Sequence, residues 1–273
     1  MRIAFIGDIV GKAGRLMLKQ HLINLKREHS IDFVIANYEN ASHGYGLTSK
    51  NCEEILSYGV DMMTGGNHSF DKKEILTMFD KYPIIRPLNY PSQTAGEGIY
   101  ITTIKDKRVA VINLLGYFFI SEIVDNPFNT VLKRVQELRD DGIAHIIIDI
   151  HAETTAEKRT LLFMLKDKVS AILGTHTHIG TDDLEIIDGC CYVTDVGLTG
   201  CRDNILGMDS KIPIQKVTTA IGGYFDVPDI CQRVLQMIIF DIDNDGRVEK
   251  SKKVRVYDDA PTVVNYGLNF SSL

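Results

Sequence analysis

Three things are scarce in this sequence, and each scarcity excludes a class of protein. The first is positive charge: 30 Lys and Arg stand against 36 Asp and Glu, a net charge of -6. A protein that grips long nucleic acid carries a basic face, because phosphate neutralisation dominates that affinity. The acidic balance argues against such a partner. The second scarcity is long apolar runs. The run at 1–7 meets Asp8 at once, too short for an export signal. The most apolar region, 109–124, is interrupted by Asn113, Gly116, Ser121 and Glu122, so it does not read as a spanning helix. The third is paired cysteine. Cys52, Cys190, Cys191, Cys201 and Cys231 are odd in number and contain no C-x-x-C pair, which leads us to expect free thiols in a reducing, cytoplasmic setting. Repeats, low-complexity segments and linkers are missing too, so one domain over 1–273 is expected.

What is present is ordinary globular composition, 44% apolar and 24% charged. Apolar runs alternate with amphipathic stretches. Strands are expected at 2–7, 32–37, 60–64, 144–150, 169–173 and 191–195, and helices at 15–28, 50–58, 72–81, 128–141 and 156–165. An antiparallel pair is expected at 98–104 and 108–114, and a hairpin at 236–242 and 247–257 about Asp245-Gly246. The pattern is that of an α/β layered fold with mixed sheets.

Two motifs fail on inspection. Gly7-Asp8-Ile9-Val10-Gly11-Lys12-Ala13 is one residue short of a phosphate-binding loop and has Ala13 where a hydroxyl is needed. Asp241-Ile242-Asp243-Asn244-Asp245-Gly246 begins like a calcium loop, but its twelfth position is Lys252 rather than a glutamate.

The informative pattern is where oxygen and imidazole donors fall. Asp8 follows the first strand, Glu39-Asn40 the second, and Asn67-His68 the third. His151 follows a later strand, and His176 and His178 the next. In open α/β sheets, ligands bind outside the carboxyl ends of strands. His176-Thr177-His178 is expected to present two imidazoles on one face of an extended turn, with Gly174 allowing close backbone approach. His21, His29 and His145 read as structural. His43 is a candidate overhang, four residues beyond Glu39. No cysteine joins the set, which disfavours a structural zinc site. About seven donors are too many for one tetrahedral ion and suit two ions sharing a carboxylate.

The strings Gly7-Asp8, Glu39-Asn40, Gly66-Asn67-His68, Asp149-Ile150-His151-Ala152-Glu153, Gly174-Thr175-His176-Thr177-His178 and Thr194-Asp195-Val196-Gly197-Leu198-Thr199-Gly200 resemble the calcineurin-like metallophosphoesterase superfamily. More narrowly, they resemble its bacterial YmdB-like branch. The resemblance implies a four-layer α/β/β/α sandwich with a dimetal site at strand ends. It implies that Glu39 bridges the ions, that Asp8, Asn40 and His178 complete one site, and that Asn67, His151 and His176 complete the other. His68 would be the proton donor. The superfamily usually has Asp-x-His at the first motif. Here Ile9 and Val10 follow Asp8, and Asn40 takes the place of the missing histidine. The resulting oxygen-rich set favours iron or manganese over magnesium or zinc.

The activity implied is hydrolysis of 2′,3′-cyclic nucleotides such as 2′,3′-cAMP. An activated hydroxide shared by the two cations would attack phosphorus in line, and His68 would protonate the departing alkoxide. Asp71 is a candidate to orient His68, and Asp149, sharing strand parity with His151, a candidate to support it. The alternatives are a phosphomonoesterase or nuclease on the same site, or a nucleotide-sensing regulator without turnover. The expected partner is a small phosphodiester, with no membrane and with homo-oligomerisation open at 117–127.

Overall fold

The computed structural model describes residues 1–270 of the 273. Strand β1, Arg2–Ile6, sets the plan of the molecule. Ile3 and Phe5 point to one face, Ala4 and Ile6 to the other, and all four are buried. A strand buried on both faces needs a layer on each side. Helix α1, Gly11–Glu28, covers one face with Met17, Leu18, Leu22 and Leu25. It starts four residues ahead of the expected 15–28, because the glycine-rich stretch after β1 forms its first turn.

Strand β2, Phe33–Asn37, and strand β3, Met62–Thr64, run parallel to β1. Between them lies α2, Ser49–Ser57, whose start is capped by the Thr48 hydroxyl accepting from the Asn51 N–H. The helix expected at 72–81 shrinks to a single 3-10 turn, Lys73–Thr77. Only Ile75 and Met78 are buried there, too little apolar face to hold a longer helix.

The second sheet is built from β4, Ile99–Ile104, β5, Lys107–Leu115, β6, His145–His151, β7, Ala171–Thr175, β8, Glu185–Ile187, and β9, Cys190–Val193. Helices α3, Pro127–Asp140, and α4, Thr155–Leu165, cover its outer face with Val131, Val135, Leu161 and Leu165. Each has a side-chain cap: Asn126 accepts from the N–H groups of Phe128 and Asn129, and Thr154 from that of Glu157.

The short β10, Gly200–Cys201, pairs with β11, Arg233–Ile242, across an excursion that carries α5, Lys211–Thr219. The hairpin partner β12, Val248–Tyr257, and the edge strands β13, Val263–Tyr266, and β14, Leu268–Phe270, complete the fold. The first sheet runs β13-β12-β11-β1-β2-β3, and the second β14-β8-β9-β7-β6-β5-β4. A shared interior of Ile3, Phe5, Ile35, Ile238, Val111, Ile147 and Leu173 joins them face to face. The order is therefore helices, sheet, sheet, helices, the α/β/β/α sandwich expected from the sequence.

One expectation is overturned. Cys201 and Cys231 form a disulfide, with Cα atoms 5.5 Å apart. The pairing of β10 with the start of β11 brings the two sulfurs together, a proximity that spacing 30 residues apart in sequence does not announce. Cys52, Cys190 and Cys191 are free and buried, as small apolar side chains. Among the described residues, no helix is long and apolar enough to cross a membrane.

Candidate metal centre

The parallel strands of both sheets end at one edge, and the donors of the sequence motifs meet there. β1 delivers Asp8, β2 delivers Glu39 and Asn40, β3 delivers Asn67 and His68, β6 ends on His151, and β7 leads into His176 and His178. Asp8, Glu39, Asn40, His151 and His178 are all buried. The site opens into a cavity of about 380 Å³.

The hydrogen bonds around these residues fix which atom each presents. His151 Nδ1 lies 2.9 Å from the Thr175 hydroxyl, and that hydroxyl donates to Asp149 Oδ1 at 2.7 Å. Thr175 therefore accepts the Nδ1 proton of His151, and Nε2 is left bare. That bare nitrogen faces Asn67 Oδ1 at 3.2 Å, Glu39 Oε1 at 3.4 Å and His176 Nδ1 at 3.1 Å. Asp149 Oδ2 is itself held by the Thr64 hydroxyl at 2.5 Å and Asn37 Nδ2 at 2.9 Å.

His178 repeats the arrangement. Its Nδ1 donates to the Leu206 carbonyl at 2.8 Å, so Nε2 is bare and faces Asn40 Oδ1 at 3.1 Å. Asn40 cannot turn its amide to help, because Nδ2 already donates to the Gly44 carbonyl. Asp8 Oδ1 lies 3.9 Å from the same Nε2. An imidazolium would satisfy both sides of His178, but burial lowers its pKa. Burial likewise holds His151 well below the usual imidazole range and pushes His176 down to about 3.

Acceptor thus faces acceptor at two neighbouring points. The carboxylates add to the tension. Asp8 Oδ1 and Glu39 Oε2 are buried without a hydrogen-bond partner. Burial, reinforced for Asp8 by Asp195, Asp149 and Glu39, raises the pKa of both carboxyl groups. Native proteins rarely leave such atoms unpaired. Among the described residues no three His, Cys, Asp or Glu groups make a ready cation cage. Two of the donors here are amide oxygens, which such a cage leaves out. Ligands about 2.1 Å from one octahedral ion stand about 3 Å from their neighbours, the scale of the separations above. The residues fit a pair of cations: bare imidazole nitrogens, amide oxygens and orphaned carboxylate oxygens, with no thiolate.

The chain is locally shaped for this packing. A Cβ on Gly66 would lie 2.4 Å from His151 Cδ2 and 2.6 Å from Glu39 Oε2, so any side chain there would invade the cluster. A Cβ on Gly174 would lie 1.8 Å from the Thr194 carbonyl oxygen. The two histidines after it are not on an extended segment, as expected, but on a turn with φ of +95° at His176 and +66° at His178. Such backbone persists only where the surroundings enforce it. Asp195 does so, accepting from the N–H and hydroxyl of Thr177 at 3.1 and 2.8 Å. The buried Lys158 ammonium neutralises Asp195 at 3.0 Å and also binds the Thr175 carbonyl.

His68 stands apart from the buried set. Its N–H donates to Glu39 Oε1 at 2.7 Å, and its ring Nδ1 lies 2.8 Å from Asp71 Oδ2. With about a third of its side chain exposed, its ring borders the cavity. His43, the candidate overhang, is exposed and lines a different cavity with Lys12, Arg15 and Asp226. Glu153 Oε2 lies 3.1 Å from His176 Nε2 at the rim. Tyr45, Leu206, Met208 and Phe225 form an apolar wall that the sequence reading missed. Tyr45 was within reach, two residues past His43, but the others arrive on the excursion between β10 and β11, which no local pattern ties to the site.

A family model described as YmdB-like protein matches residues 4–254. The 2′,3′-cyclic-nucleotide 2′-phosphodiesterase of Bacillus subtilis strain 168 is 40% identical over 262 residues, covering 95% of this chain and 98% of the relative. A crystal structure of a novel phosphatase from Mycoplasma pneumoniae superposes with a TM-score of 0.90 at 33% identity, covering 96% of this chain and 95% of that one. A hypothetical protein from Thermus thermophilus superposes with a TM-score of 0.88 at 30% identity, covering 94% and 99%.

Proposed function

Because the chain belongs to the family of YmdB-like proteins, we propose that it is a dimetal phosphodiesterase opening 2′,3′-cyclic nucleotides such as 2′,3′-cAMP. The observation that carries this reading is the pair of facing acceptor clusters, His178 Nε2 against Asn40 Oδ1 and His151 Nε2 against Asn67 Oδ1. In this reading Asp8, Asn40 and His178 would hold one cation, Asn67, His151 and His176 would hold the other, and Glu39 would serve both. The oxygen-rich set suits iron or manganese ahead of magnesium or zinc. Bound there, two cations would supply Lewis acidity, making water nucleophilic near neutral pH and offsetting charge on the phosphoryl oxygens.

The chain's own groups do the rest. The Leu206 carbonyl and the Thr175 hydroxyl keep the two deepest imidazoles in one tautomer. Asp71 holds His68 Nδ1 and so orients the ring, and in this reading His68 gives the departing ribose oxygen its proton. That proton matters because an alkoxide is a poor leaving group. The unit that acts is the whole chain, 1–273, as one domain, and a cytoplasmic setting is part of the same proposal.

The test is turnover by purified protein of measured metal content, supplied with Mn²⁺ or iron. Three substrates at equal concentration separate the readings: 2′,3′-cAMP, a phosphomonoester and a long RNA. Preferential opening of the cyclic ester is expected. No turnover of any phosphodiester would sink the proposal, and nucleotide binding without product would favour a sensor. His68→Ala should cut kcat by about 10²–10⁴-fold with metal content retained. Loss of metal would instead put His68 among the ligands.

A further inference from the structure

The cavity over the metal centre has two unlike halves. Its floor is polar, formed by the donors described above. One wall is apolar, formed by Tyr45, Leu206, Met208 and Phe225. Tyr45 and Phe225 rest their backs on a small buried cluster that includes Val10, Leu198 and Met208. Both rings stay half-buried, with the remainder turned to the cavity. Tyr45 stands edge-on to His68, ring centres 5.0 Å apart, and tilts against Tyr224 at 5.7 Å.

Half-buried rings at the mouth of a polar pocket mark a surface that a ligand covers. We propose that Tyr45 and Phe225 form a platform for the nucleobase of the cyclic nucleotide. The proposal rests on the phosphodiesterase reading above. A base has a flat π face that stacks on aromatic side chains whatever its sequence identity. The volume of about 380 Å³ is that of a small-ligand site, suited to one nucleotide.

The test compares 2′,3′-cAMP with methyl riboside 2′,3′-cyclic phosphate, which has no base. The wild-type protein is expected to prefer cAMP in kcat/KM by on the order of 10-fold, the scale of one stacking contact. Tyr45→Leu with Phe225→Leu should narrow the preference by about 10-fold, whereas Tyr45→Phe retains it. Using a ratio removes any effect of the variants on His68, which acts on both esters. Equal kcat/KM for both esters in the wild-type protein would overturn the platform while leaving the phosphodiesterase reading standing. Turnover of neither ester would overturn both.

Discussion

Replacing Asp149 by asparagine should change metal affinity without touching a proposed ligand. The carboxylate is fully buried and accepts three hydrogen bonds, from Thr175, Thr64 and Asn37. Burial pushes its pKa up to about 7, against the pull of those bonds. An amide of the same shape must set its NH₂ against one side. Facing Thr175, it donates where the carboxylate accepted. Thr175 then turns its proton toward His151 Nδ1, and His151 must carry its own proton on Nε2, aimed at Asn67 and Glu39. Facing the other way, the NH₂ meets the Asn37 donor, leaving a buried donor unsatisfied at about 1–3 kcal/mol. Partners behind metal-ligating histidines are worth about 10–100-fold in affinity. We therefore expect Asp149→Asn to weaken Mn²⁺ binding by about that factor in calorimetric titration of the metal-free protein. Thr175→Val, which cuts the same relay with no change of charge, should move in the same direction. An Asp149→Asn protein that binds Mn²⁺ with the parent's affinity would refute the tautomer argument.

Gly66→Ala places a methyl group 2.5 Å from His151 Nε2, and should cost at least about 100-fold in turnover with far-UV circular dichroism unchanged. Saturation with Mn²⁺ at 100 times its Kd should stabilise the metal-free protein by about 2.7 kcal/mol, a rise in Tm of about 5–10 °C by calorimetry. No shift would mean that Asp8 and Glu39 are not relieved by a cation. Lys253, buried beside the carbonyls of Thr181 and Asp195, has its pKa lowered to about 8, first by burial. Below pH 8 it is charged in both states, and folding carries the cost of that burial. Between pH 8 and about 10.5 the unfolded chain binds the extra proton, so stability from this group rises with pH. Lys253→Met should therefore stabilise the fold at pH 7 by about 1–3 kcal/mol in urea titration, with the gain fading toward pH 10.

The layered fold was legible because strand and helix periods are written locally. Ile3 and Phe5 alternate with Ala4 and Ile6, and the leucines of α1 recur at helical spacing. The candidate donors could be picked out because each lies at or within a few residues of the end of a readable strand. What the sequence hid depends on contacts between distant segments. The turn at His176 and His178 is held by Asp195, reached only through the β7–β9 pairing. Leu206 and Phe225 come from an excursion whose helix, α5, buries none of its residues and so has no amphipathic signature. The Cys201–Cys231 bond is likewise a product of strand pairing rather than of spacing. The edge strands β13 and β14 are exposed and short, and leave little hydrophobic pattern to read.

The donors divide between the two sheets: Asp8, Glu39, Asn40 and Asn67 come from the first, His151, His176 and His178 from the second. Neither half of the chain owns a complete set. Under the proposed function, catalysis is then a gauge of registration between two slabs, since a slip of either separates facing donors before any strand melts. Selection for turnover would act on the buried seam of Phe5, Ile35, Ile147 and Leu173 as strictly as on the donors themselves. Severed once, just ahead of β4, the two fragments would recover activity only by reassociating.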